Sequence, residues 1–139
     1  MCTYFICYYR DIGSDMKILI IDDNKDITKM FSKYMTIKGH LCTVVNDGKS
    51  GLNLIETKIF DAVILDIAMP EFSGSDIIDA LYESGKIKHQ NIITLTASSI
   101  SDDVESALKS KGVRLCLKKP IDPDVLLDHM QQFENIKTT

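Results

Sequence analysis

The chain has 139 residues, enough for one domain with a sizeable core and too few for two. Lys and Arg number 16 against 20 Asp and Glu, a formal charge of -4, and no basic stripe or Arg cluster is present. This balance argues against a direct nucleic-acid partner. Four cysteines, Cys2, Cys7, Cys42 and Cys116, form no C-x-x-C pair, and His40, His89 and His129 lie far from them in sequence. Reduced thiols in a cytoplasmic protein are expected, rather than a zinc site or a disulfide framework.

Residues 1–15, MCTYFICYYRDIGSD, crowd Cys, Tyr, Phe and Ile into positions 2–9 and then break at Arg10 and Asp11. A membrane span needs about 20 apolar residues. A secretory signal would open on positive charge and close on small residues, so neither applies. The composition break at Met16 sets 1–15 apart as an N-terminal extension, with a domain expected over 16–135 and a short tail over 136–139.

From Lys17 onward, short apolar runs alternate with amphipathic stretches, the βα pattern of a parallel sheet covered on both faces. KILII (17–21) is a strand. A helix follows with Ile27, Met30, Phe31, Tyr34 and Met35 at helical spacing, stopped by Gly39. LCTVV (41–45) is the second strand, with a short helix around Leu52 to Glu56. AVILD (62–66) is the third, and Ile77, Ile78, Leu81 and Tyr82 mark its helix, closed by Gly85. NIITLT (91–96) leads to a helix carrying Val104, Ala107 and Leu108 that ends at Gly112. VRLCLK (113–118) is the fifth strand, and the last helix opens at Asp122-Pro123 with an apolar face of Leu126, His129, Met130 and Phe133.

A strand buried on both faces reads as continuous Ile, Leu and Val, which describes the first, third and fourth runs. Thr43 interrupts the second, and Arg114 and Lys118 interrupt the fifth, so these two belong at the edges. A doubly wound five-stranded parallel α/β sheet of order 2-1-3-4-5, flavodoxin-like, satisfies both conditions, and its ligands sit outside the carboxyl ends of the strands.

At those ends stand Asp22 and Asp23 after the first strand, Asp66 after the third, Thr96 after the fourth, and Lys118-Lys119-Pro120 after the fifth. Two carboxylates about 4 Å apart repel by up to roughly 4 kcal/mol at an effective dielectric near 20, so a cation is needed to offset them. Mg²⁺ suits a shallow cup of carboxylate oxygens and commonly bridges to phosphate. The lysine and the hydroxyl would hold the remaining oxygens of a phosphoryl group, and Asp66 is the natural nucleophile for it. Taken singly, each residue also has a plainer role: Asp22 or Asp23 as a helix cap, Asp66 as a turn opener, Thr96 as a β-former. Their joint placement at one sheet edge favours the chemical reading.

The set IIDDN, ILDIAMPEFSG, TLTAS and LKKP resembles the receiver domains of two-component response regulators over essentially all of residues 16–135. The resemblance implies that Asp66 is the phosphoacceptor. It also implies a Mg²⁺ ion on Asp23, Asp66 and the backbone carbonyl of Ala68, with Asp22 in support. Thr96 would contact the phosphoryl oxygens and Lys119, ahead of Lys118, would pair with them. A cis Lys119-Pro120 bond is implied as well. Ala97 fits the small residue that leaves the phosphoryl group access, and Gly74 fits the turn after Met69-Pro70. Where many receivers carry a Tyr or Phe that reports phosphorylation, this chain has Cys116. Alternation with Leu115 and Leu117 puts Cys116 on the opposite strand face, toward the surface where receivers bind targets.

The expected function is that of a single-domain response regulator. It would take a phosphoryl group from a sensor histidine kinase or a histidine phosphotransfer protein. An effector protein would then read the face of the fourth helix, fifth strand and fifth helix, since no output domain follows Phe133 in this sequence. Two other readings share parts of the pattern. A haloacid dehalogenase-type phosphohydrolase needs a second acid two residues after Asp66, where Ala68 stands. A flavodoxin-like FMN carrier needs hydroxyls and glycines in the first loop, where DDNKD stands.

Overall fold

A computed structural model describes residues 16–97 and 100–137, with side chains described as far as residue 132. The extension over 1–15 and the side chain of Phe133 lie outside the described residues. Five strands, β1 (Lys17–Ile21), β2 (Leu41–Val45), β3 (Ala62–Asp66), β4 (Ile92–Thr96) and β5 (Leu115–Lys118), pair in parallel in the order β2-β1-β3-β4-β5. Between and after them run α1 (Lys25–Ile37), α2 (Gly48–Thr57), α3 (Gly74–Glu83), α4 (Asp102–Lys111) and α5 (Pro123–Lys137), with a 3-10 turn at Lys86–His89. The doubly wound architecture is the one the alternating runs imply.

Strand alternation divides the core into two layers. Leu19, Ile21, Val63, Leu65 and Ile92 point to one face, where Ile55 of α2, Ile77, Ile78 and Leu81 of α3 and Leu108 of α4 cover them. Ile18, Ile20, Ala62, Ile64, Ile93 and Leu95 point to the other, against Phe31 and Met35 of α1 and Leu126, Leu127 and Met130 of α5. Every residue of β3 and β4 is buried, whereas β2 and β5 are half-exposed edges, as their polar interruptions require. Pairing of Ile18 with both Cys42 and Ala62, and of Val63 with Ile92, brings the carboxyl ends of β1, β3 and β4 level at one rim.

Some local expectations shift. Met30, Tyr82 and Val104 are 47%, 54% and 43% exposed, and Ala107 is exposed too, so the apolar stripes read along α1, α3 and α4 are wider than the faces that pack. α2 begins at Gly48, four residues before Leu52, with Asp47 as N-cap accepting the Ser50 N–H at 2.8 Å. Two glycines, Gly48 and Gly51, hide that start because glycine is a poor helix former. β5 begins at Leu115, although Arg114 N–H still donates to the Ile92 carbonyl at 2.9 Å. Glycines in positive-φ backbone follow α1 (Gly39), α3 (Gly85) and α4 (Gly112), each at the point where the sequence places a stop.

Candidate functional site

β1 delivers Asp22 and Asp23 to the rim in different states. Asp22 is 2% exposed, while Asp23 is open to solvent. Neither caps α1. Asn24 does so, its side-chain oxygen accepting the N–H groups of Asp26 at 3.0 Å and Ile27 at 3.2 Å. That corrects the plainer reading of the acidic pair, because the helix terminus is already satisfied and both carboxylates are left for other work. Asp22 Oδ1 accepts the Asn24 N–H at 2.9 Å, which turns Oδ2 toward the centre of the rim. From β2, Asn46 Nδ2 donates to the Asp22 carbonyl at 2.8 Å and to Thr28 Oγ1 at 3.1 Å.

β3 ends on Asp66, 5% exposed, whose Oδ1 accepts the Ala68 N–H at 3.3 Å. Gly74 makes the return of this loop possible: a Cβ there would stand 2.4 Å from the Asp66 carbonyl oxygen. The loop also holds Glu71 at φ 66, a left-handed conformation uncommon for a residue with a side chain. After β5, the Lys119 N–H donates to the Thr96 carbonyl at 2.7 Å and the Lys119–Pro120 peptide is cis. Lys119 Nζ then stands 3.1 Å from Asp22 Oδ2 and 3.2 Å from Asp66 Oδ1. Lys118, one step earlier, is exposed and makes neither contact.

Thr96 is 3% exposed, with Oγ1 donating to the Leu117 carbonyl at 3.3 Å rather than to a carboxylate. Ala97 is exposed and joins Lys119, Pro120, Ile27, Met30, Phe31, Leu95 and Ile121 around a largely apolar pocket of about 450 Å³ beside the acidic rim. Cys116 is half-buried on the face opposite Leu115 and Leu117 and packs against the layer that includes Leu108. Its cross-strand neighbour Thr94 is fully buried, and the Thr94 hydroxyl finds no hydrogen-bond partner among the described residues.

Electrostatics follow from this packing. Burial pushes the Asp66 carboxyl above its ordinary range and the Asp22 charge adds to the rise, while Lys119 and the Ala68 N–H pull the other way without cancelling it. Burial lowers the Lys119 ammonium, but the hydrogen bond to Asp22 and the charges of both aspartates outweigh that and hold it above its usual value. One carboxylate oxygen each from Asp22, Asp23 and Asp66 lies within 4.8 Å of the others. One oxygen from each of the three side chains would be available to hold a Mg²⁺ ion, which would supply positive charge to offset these carboxylates. The donors are all hard oxygens, which fits Mg²⁺ and not a thiolate- or imidazole-seeking metal.

The structure brings Asp22, Asp23, Asp66 and Lys119, all read at strand ends in the sequence, together at one rim. Sequence reasoning overlooked Asn24 and Asn46. Asn24 sits directly before a helical pattern, a signal that was present; the reach of Asn46 into the first loop is a long-range contact that no local pattern encodes.

The chain is similar to known proteins along most of its length. A 14.6 kDa protein from the sodA1 3' region of Leptolyngbya boryana is 32% identical over 86% of this chain and 91% of its own length. The receiver domain of a Francisella response regulator superposes with a TM-score of 0.80 at 26% identity, covering 88% of this chain and 99% of that one. The response regulator TrrA from Thermotoga maritima, solved with Mg²⁺ and beryllofluoride, gives a TM-score of 0.70 at 26% identity over 84% of this chain and 97% of its own. Among the described residues, no helix is long and apolar enough to cross a membrane. Residues 18–131 match the response regulator receiver domain, so the chain belongs to that family, and its three rim carboxylates are consistent with a Mg²⁺ site.

Proposed function

We propose that Asp66 accepts a phosphoryl group from the phosphohistidine of a sensor histidine kinase or a histidine phosphotransfer protein in the cytoplasm. A carboxylate oxygen of Asp66 forms the new O–P bond as the P–N bond breaks, and the departing imidazole keeps the electron pair and takes up a proton. Asp23, Asp66 and the Ala68 carbonyl would hold Mg²⁺, with Asp22 supporting the set. When bound, the ion neutralises charge on the phosphoryl oxygens.

The chain's own groups do the rest. Lys119, already held 3.2 Å from Asp66, is placed to move onto a phosphoryl oxygen once one is attached. Thr96 would rotate its hydroxyl from the Leu117 carbonyl to another of those oxygens, and Ala97 leaves the approach open. Releasing Leu117 alters β5 directly. That step links the added charge of about -1.5 to -2 to the face built by α4, β5 and α5, where an effector protein would bind. Cys116 has no ring to swing inward, so the loop after β4 and the flanking helices carry the signal in this reading.

The observation that carries it is the single Lys119 ammonium shared by two buried aspartates at the rim, with a third carboxylate beside them. Incubation with acetyl phosphate and Mg²⁺, read by intact mass, should add one phosphoryl group to the wild type and none to Asp66→Asn. Labelling that persists in the variant would move the acceptor elsewhere.

A further inference from the structure

The turn between β2 and α2 contributes no ligand and no nucleophile, yet it touches both loops that do. On its first side, the Asp22 N–H donates to the Val45 carbonyl at 3.3 Å, and Asn46 Nδ2 donates back to the Asp22 carbonyl at 2.8 Å. The backbone that presents Asp22 is therefore fixed from both its N–H and its C=O. On its second side, Gly48 lies directly against the loop that follows Asp66. A Cβ on Gly48 would stand 2.1 Å from the Phe72 carbonyl oxygen and 3.0 Å from the Phe72 carbonyl carbon.

Gly48 has no positive φ, so its backbone conformation is open to any residue. What requires glycine there is space, and the atoms in that space are backbone, which cannot rotate away. Gly51, one turn along the same helix, differs. Its Cβ would meet side-chain atoms of the buried Ile21, 2.6 Å from Cδ1 and 3.0 Å from Cγ1 and Cγ2, and no backbone of the Asp66 loop.

We infer that the Asn46–Gly48 turn is a positioning element, with Asn46 and Gly48 as the residues that set the spacing between the Asp22 loop and the Asp66 loop. The carboxylates that share Lys119 come from these two loops. A shift of one loop relative to the other changes how Asp22, Asp23 and Asp66 converge, and misplacement by about 1 Å can slow a reaction 100-fold. Neither residue touches the reacting atoms, so both act through the loops they hold.

The inference rests on Asp66 as phosphoacceptor for one of its two readouts and is independent of it for the other. Wild type, Asn46→Ala, Gly48→Ala and Gly51→Ala would be compared for the rate of phosphorylation at saturating acetyl phosphate and Mg²⁺, and for Mg²⁺ affinity by calorimetry. Asn46→Ala and Gly48→Ala are expected to lose at least fivefold in maximal rate and in Mg²⁺ affinity while still unfolding cooperatively. Gly51→Ala, which crowds the same helix against the Ile21 side chain and leaves the Asp66 loop backbone untouched, should stay within twofold on both. If Gly48→Ala does not fold, Asn46→Ala decides alone, since it only removes atoms. Wild-type rate and affinity in Asn46→Ala, or equal losses in Gly51→Ala, overturn the inference. A wild type that takes up no phosphoryl group refutes the acceptor reading, and Mg²⁺ affinity then decides the positioning claim by the same fivefold and twofold limits.

Discussion

Lys119 and Asp22 stand 97 positions apart in the chain and meet at 3.1 Å, with the aspartate almost completely buried and the lysine about a quarter exposed. Because Asp66 shares the same ammonium, removing it leaves two like charges inside the protein with no counterion from the chain. Lys119→Met is expected to lower stability by about 2 kcal/mol at neutral pH in the presence of a chelator. That is less than breaking a fully buried pair costs, since solvent reaches the lysine. The sign with pH is defined. Lys119 has its pKa raised in the folded state, so its contribution is complete below the ordinary value of 10.5 and is lost as pH rises through the folded value. On the acid side, the deficit of the variant shrinks as Asp66, whose carboxyl burial holds above its ordinary range, protonates. Urea unfolding of both proteins across the pH range measures each limb, and a deficit that is constant with pH would remove the ion pair as its cause.

Thr94 offers a test of the core that is separate from the acidic rim. Its hydroxyl is buried without a partner among the described residues, and a buried unsatisfied polar group costs roughly 1–3 kcal/mol. Thr94→Val, which replaces that hydroxyl with a methyl group of similar size, should stabilise the fold by about 1 kcal/mol, seen as a higher urea midpoint at unchanged m. A lower midpoint would show that the hydroxyl is in use.

The cap of α2 supplies a pH-dependent prediction away from any metal ligand. The N–H of Ser50 holds the Asp47 carboxyl below its ordinary pKa of 3.8, with the Ser50 hydroxyl adding to the effect. A depressed carboxylate contributes stability above its unfolded pKa and loses it as pH falls through the folded one. Asp47→Asn retains an acceptor oxygen but cannot titrate. Its deficit relative to wild type is expected at pH 7 and should disappear as pH falls well below 3.8, followed by denaturation midpoints at several pH values. A deficit independent of pH would mean that charge at the cap plays no part.

How far the sequence spoke depended on whether a feature was local. Runs such as AVILD and IITLT state their burial outright, and their polar counterparts LCTVV and VRLCLK place themselves at the edges, so strand order followed. Strand ends then brought Asp22, Asp66 and Lys119 together without knowledge of a single distance. The choice of Lys119 over Lys118 needed the family resemblance, because the two are adjacent at the end of one strand and only the side that each presents separates them. Met30 and Tyr82 misled because helical spacing marks a stripe and cannot say how much of it a neighbour covers. Asn46 and Gly48 were silent for a different reason: their partners, Asp22 and Phe72, lie in other loops, and nothing near 46–48 in sequence points to them.

The order of the sheet also bears on how the chain comes together during synthesis. β1 lies between β2 and β3, so a growing polypeptide that has just released Asp66 already contains three adjoining strands, covered so far by Ile55 on one face and by Phe31 and Met35 on the other. That half-finished domain carries Asp22 and Asp66 without Lys119, which emerges only with the last strand. Among the described residues its two acids then lack the ammonium they share in the finished domain, which opposes tight closure of the rim. Docking of β5 against β4 relieves this, so the C-terminal strand acts as an electrostatic latch and not only as an edge. A ribosome-stalled series should show the N-terminal strands protected early, with the rim acquiring full protection only after residue 119 clears the exit tunnel.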